Sequence, residues 1–389
     1  MSLANFALLG YFLIGTVVII FPPLLPDIVD SFHLSLALAG LIFPGKSIGG
    51  LIAGLWAGVW SDRVGRKPLV VGSAALLGAS LGLAAIAGQW WLFVTAFVVM
   101  GAAQGAFSTV INALAAELGG ERRGRALNRL HGVYGAGAAL APLIIAALTL
   151  SGLGWRTVLG LAGVIWFAFA AFSATFQYPA AQVAAKRTAL NWSLFRNAVF
   201  LLLFAAAFIY NGVAWSLLGW MGAYLQQGAQ LPAVVASGMI SLFYAALTIG
   251  RFSCAAASER IGYAKTLLFL AGGTTLCYPA VVFGGLPWLV AAGVFFSGLF
   301  LSGLYPTALA IATRRFPAFA GTVVGTLSIA MTAGGMAPPW WTGLIADHSS
   351  FQWAVGLNYL MVVPLIWIAL RLAAHERATP AQGESTTPV

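Results

Sequence analysis

The stretch Gly58-Val59-Trp60-Ser61-Asp62-Arg63-Val64-Gly65-Arg66-Lys67 closes a long apolar run, and Ser258-Glu259-Arg260-Ile261-Gly262 closes another, with an acid, a base and a glycine at matching spacing 197 residues later. The two halves of the chain are therefore related. Charge outside such loops is scarce: Asp, Glu, Lys and Arg make up 7% of the 389 residues and apolar types 61%, where a soluble domain carries roughly a quarter charged residues. So few charges cannot cover a water-facing exterior. That excludes a single-domain soluble enzyme, a disordered chain and a nucleic-acid-binding protein, and leaves an integral membrane protein.

A helix needs about 20 apolar residues to cross a hydrocarbon core of about 30 Å. The apolar runs supply twelve such helices, over approximately 4–27, 36–60, 68–88, 90–116, 127–150, 155–177, 197–226, 233–256, 265–284, 287–313, 320–345 and 351–372. The expected fold is an all-α membrane protein of twelve spans. The first span begins without a basic leader or a small-residue cleavage site, so it reads as a retained helix. On span 2, Gly45, Gly49, Gly50, Gly54 and Gly58 put small residues on one face, which lets helices approach closely in lipid. Cys254 and Cys277 sit inside apolar runs and read as packing residues.

The longest connection, 178–196, separates a six-helix unit over 1–177 from a second over 197–372, and the polar tail 373–389 is expected to be disordered. Two six-helix units joined by a polar loop are the architecture of a rocking transporter, with its solute site between the units near the midplane. Basic residues mark the side. Sixteen of the nineteen Lys and Arg follow the even-numbered spans, while the opposite loops hold only Arg156. Cytoplasmic loops accumulate such residues, so both termini and the 178–196 loop are expected in the cytoplasm, in a cell (inner) membrane. The net charge of +10 is thus a topology signal and implies no nucleic-acid partner.

The segment Gly58 to Lys67 resembles the loop signature of the major facilitator superfamily, and the copy at Ser258 to Gly262 sits where that family places its second one. Other segments resemble the fucose, galactose and glucose permease branch: Tyr11-Phe12-Leu13-Ile14-Gly15 leading to Leu24-Leu25-Pro26, Leu127 to Gly137 with Pro142, Phe208-Ile209-Tyr210-Asn211-Gly212, and Gly303-Leu304-Tyr305-Pro306-Thr307. The resemblance implies transport of a sugar or similar polar solute, with Gly58, Asp62, Arg63, Gly65, Arg66, Lys67, Glu259 and Arg260 as gating residues. Two positions depart from the branch. Pro22 stands where proton-driven members carry an aspartate, and Ala214 where they or their relatives carry Glu or Gln.

None of the nine acids falls at mid-membrane depth. Coupling to H+ or Na+, if the carrier uses it, is left to Asp27 near the outer end of span 1, Glu117 near the inner end of span 4, His131 on span 5, or no side-chain acid. Lys46 lies ten residues into span 2, where an ammonium costs several kcal/mol unless paired or hydrated, so it is a candidate solute ligand. Arg251, closer to the cytoplasmic face of span 8, is either a solute contact or one partner of a structural ion pair. Gln104, Asn112, Asn211 and Asn358 are amides able to donate to and accept from hydroxyls, or else to glue helices together. Tyr210 and Trp215, and more weakly Trp220, Trp340 and Trp341, offer faces for a sugar ring. The chain carries no phosphate-cradling loop and no metal-ligand spacing, so no enzyme and no cofactor is expected. The expectation is a monomeric secondary transporter of a small polar solute, a sugar first, working by alternating access. The alternative is an organic-anion transporter using Lys46 and Arg251. Efflux of lipophilic cations is disfavoured because such a site wants a buried carboxylate.

Overall fold

Prolines and glycines set where the helices break. The structure, a computed structural model, describes residues 1–179 and 192–378, and among these residues it is helical and without strands. Ten stretches of the described residues are long and apolar enough to cross a membrane. One of them, Trp90–Leu150, has 61 residues, about 90 Å at 1.5 Å per residue. It folds back at the short turn Gly120–Arg122, where Gly120 takes φ +52°, and so crosses twice. A further crossing is built from Ala320–Gly334 and Ala337–His348, each too short alone, separated just before Pro338 and Pro339. These boundaries accord with twelve crossings.

Span 1 is likewise composite, Leu3–Val18 followed by Phe21–Phe32. Pro22 and Pro23 supply no N–H, so the carbonyls of Val18 and Ile19 lose their i+4 donors and the ladder breaks there. Prolines are tolerated at that point because they open the next helix. Span 12 runs past the expected end, through Ala378. The expectations for residues 180–191 and 379–389, and for the Asp62 side chain, lie outside the described residues.

The charged loop seen twice in the sequence is also one backbone turn used twice. Gly65 between Ile42–Val64 and Arg66–Ile86 has φ +83° and ψ 171°; Gly262 between Ala233–Ile261 and Tyr263–Phe283 has φ +89° and ψ 151°. That region is open essentially to glycine alone. Packing repeats as well. Spans 1 and 5, 2 and 4, and 3 and 6 pair in the first half, and 7 and 11, 8 and 10, and 9 and 12 in the second. The halves meet along spans 5 and 8, 2 and 11, and the second part of span 1 with span 7. Large apolar side chains such as Trp56, Ile86, Leu150 and Leu276 are exposed on the exterior, as a lipid-facing surface requires.

Candidate functional site

Glycines on span 4 bring the site's main cation into place. A Cβ at Gly101 would fall on the backbone of Lys46 and one at Gly105 on that of Gly50. Spans 2 and 4 therefore touch backbone to backbone, which fixes where Lys46 starts. Its side chain reaches across to span 1, where Nζ donates to the Val18 carbonyl at 3.3 Å, the acceptor that Pro22 leaves without a backbone donor. The ammonium also lies 5.5 Å from the centroid of the Trp215 ring on span 7, a cation–π contact. No carboxylate pairs with it among the described residues.

Lys46 lines a central cavity of about 790 Å³ between spans 1, 2, 4, 7 and 11. Tyr11, Ser47, Gln104, Ser108, Asn211 and Thr332 give its wall hydroxyl and amide groups, and Trp215 gives a flat aromatic face. Asn211 is oriented by donating to the Met331 carbonyl at 2.7 Å. Tyr11 is oriented by Asn112, whose Nδ2 donates to its hydroxyl at 2.6 Å.

The two ends of the cavity differ. At one end Phe43 packs edge-on to Phe21 and tilted against Trp220, with centroids 6.2 and 5.8 Å apart. Beyond them the Asp347 carboxylate accepts the N–H groups of Leu36 and Ala37 at 2.6 and 2.7 Å, tying the last turn of span 11 to the start of span 2. At the other end the lining runs out to Gly58 and Gly325, beside the basic loops, past Leu55 and Ile329, which are 55% and 40% exposed. The cavity is shut on the Asp347 side and reaches toward the basic side.

A second polar cluster adjoins the first. The Arg251 guanidinium of span 8 lies among the phenols of Tyr134, Tyr210 and Tyr244, where spans 5, 7 and 8 come together. Tyr11 connects this cluster to the cavity, with its ring 5.8 Å from Tyr134 and edge-on to His131 at 5.3 Å. His131 is exposed, Arg251 half-buried, and neither lines the cavity.

Of the side chains expected to contact solute, Lys46, Gln104, Asn211 and Trp215 come together. Asn358 does not: it is 1% exposed and its amide is consumed by Trp341, Thr342 and the Ala354 carbonyl, so it glues spans 11 and 12. Trp220 is buried and donates to the Pro339 carbonyl at 2.7 Å, a link between spans 7 and 11. Tyr210 belongs to the Arg251 cluster. Asp27 is exposed at the far end of span 1, away from the cavity. Glu117 forms an ion pair with Arg66, which joins the end of span 4 to the charged loop. Sequence reasoning missed Ser47, Ser108 and Thr332. Ser108 stands four residues after Gln104, on the same helix face, and that spacing was the available signal.

A membrane helix bundle whose packing repeats in two halves around a central polar cavity defines a solute transporter. The chain belongs to the Major Facilitator Superfamily, whose family model matches residues 7–287 and 239–388. Among its relatives is the glucose/mannose transporter GlcP of Bacillus subtilis, 22% identical over 181 residues, 46% of this chain and 44% of that protein; the match spans under half the length of that relative. The 3-(3-hydroxy-phenyl)propionate transporter of Escherichia coli is 36% identical over 134 residues, 34% of this chain and 30% of that one. The crystal structure of a bacterial homologue of the human lysosomal transporter Spinster, in an inward-facing and occupied conformation, superposes with a TM-score of 0.83. It is 14% identical and covers 97% of this chain and 98% of that one. That likeness establishes the fold.

Proposed function

We propose that the protein is a secondary transporter that carries a small polar solute through the central cavity by alternating access, and that the solute is a sugar. The observation that carries this reading is the cavity wall: hydroxyls and amides from both halves, with the face of Trp215 beside them. A sugar hydroxyl both donates and accepts, and Gln104 and Asn211 offer both roles without a desolvated charge. The match to the glucose/mannose transporter supports the same class. In this reading the basic loops face the cytoplasm, the cavity is open inward, and Asp347 helps hold the outer side closed. Thermal shift of the purified protein against neutral hexoses and small carboxylates tests the proposal. Saturable stabilisation by a hexose is expected, and stabilisation by carboxylates alone would refute the sugar assignment.

A second reading, an organic anion as solute, rests on the charge of the cavity. Lys46 has a carbonyl and a ring for partners and no carboxylate among the described residues. An anionic group is the complement such an ammonium lacks, and the likeness to the hydroxyphenylpropionate transporter points the same way.

A further inference from the structure

We infer that Arg251 and the phenols around it form an anion-binding site in the wall beside the cavity, distinct from the residues that line it. A guanidinium carries five N–H donors in a rigid fork and no acceptor. Here its buried Nε–H has no acceptor among the described residues, and the Tyr210 phenol stands beside it. The groups around it are Tyr134, Tyr210, Tyr244 and, more distantly, Tyr11 and His131. None is a carboxylate. Glu259, the next acid on the same helix, is exposed and eight residues further on, about 12 Å along the axis. The guanidinium keeps its charge at any accessible pH, so the cluster has a full positive charge and several O–H donors with no negative partner among the described residues. An anion that accepts from Nε–H and from a phenol hydroxyl completes it.

Access and position favour binding. Arg251 is half-buried and His131 exposed, so water reaches the cluster's edge. Its members come from spans 5, 7 and 8, and Tyr134 and Tyr244 stand next to each other where span 5 of one half packs on span 8 of the other. An anion held there touches both halves and favours whichever state keeps them together. The anion is either the acid group of a carried solute or a free inorganic anion. The inference does not depend on the sugar reading, since a sugar carrier would use the site for a co-bound ion.

The test uses the purified full chain at constant ionic strength in sodium methanesulfonate, titrated with chloride, acetate or glucuronate and read as melting temperature. Saturable stabilisation is expected in the parent, with affinity weakened about tenfold or more in Arg251→Gln, as loss of a charge-assisted bond implies. Response to chloride and acetate identifies a free-anion site. Response to glucuronate alone identifies a solute's acid group. If Arg251→Gln does not fold, Tyr210→Phe removes one hydroxyl and is expected to weaken binding several-fold. No saturable anion effect in the parent, unchanged affinity in both variants, or loss on Lys46→Gln but not on Arg251→Gln would overturn the inference.

Discussion

Arg314 of span 10 stacks its guanidinium over the Tyr263 ring at 5.4 Å, and these residues stand 197 positions after Glu117 and Arg66, which form the ion pair of the first half. The same point of contact, between the residue after the turn glycine and the end of the second following span, is thus made twice with different chemistry. Arginine lies on the turn side in one copy and on the long-helix side in the other.

This predicts a rescue. Tyr263→Arg alone sets two guanidiniums against each other and should lower the melting temperature. Combined with Arg314→Glu it rebuilds the first half's ion pair and should recover stability. Both sites are solvent-accessible, so the coupling in a double-mutant cycle should be modest, about 0.5–1 kcal/mol. A coupling of zero would show that the two contacts are not equivalent.

Asp347→Asn should loosen the closed side. The carboxylate accepts the Leu36 and Ala37 N–H groups on separate oxygens, whereas the amide that replaces it keeps one oxygen, a weaker acceptor, and turns an NH2 donor toward the other N–H. A reporter cysteine lining the closed end should become several-fold more reactive, a factor kept small by solvent screening of an exposed group. Equal reactivity in variant and parent would remove Asp347 from the closure.

Lys46 separates solute classes and also supports the fold. Lys46→Met leaves the Val18 carbonyl without a donor and should destabilise by about 1–3 kcal/mol, whereas Lys46→Gln retains a donor and should cost less. Sugar-induced stabilisation that survives Lys46→Gln supports the sugar reading. Carboxylate stabilisation lost in the same variant supports the anion reading.

Gly65→Ala and Gly262→Ala should each destabilise by about 1–3 kcal/mol, because both glycines hold positive φ with extended ψ of 171° and 151°. A Cβ at either position meets nothing within 4 Å, so the penalty is conformational. Denaturation showing no loss in either variant would contradict the shared turn.

The proposed orientation is checked by labelling. A single cysteine placed at position 185, between the halves, should react only from the cytoplasmic side. Reaction only from outside would invert the assignment.

Hydropathy made the spans legible because a bilayer imposes a length on every crossing, and the repeated glycine made the duplication legible because few backbone turns admit so few residue types. Lys46 was legible for a related reason: a cation at that depth is too costly to be incidental. The Arg251 cluster was only half visible. Tyr134 and Tyr244 are aromatic residues in apolar helices, where most are packing or interfacial anchors, and their pairing depends on how spans 5 and 8 meet. Asp347 reads as an ordinary loop acid, because its partners are 310 and 311 residues away. Asn358 shows the converse. An amide in a span has the same sequence signature whether it faces solute or another helix, and only its neighbours, Trp341 and Thr342, distinguish the two.

The bond from Lys46 to Val18 makes two distant substitutions interdependent. A residue with an N–H at position 22 would offer Val18 a second donor and compete with the ammonium, and an uncharged apolar residue at position 46 would strand the carbonyl that Pro22 frees. Changes at the two positions are therefore epistatic. A variant library of this transporter should show positions 22 and 46 co-selected although they lie 24 positions apart.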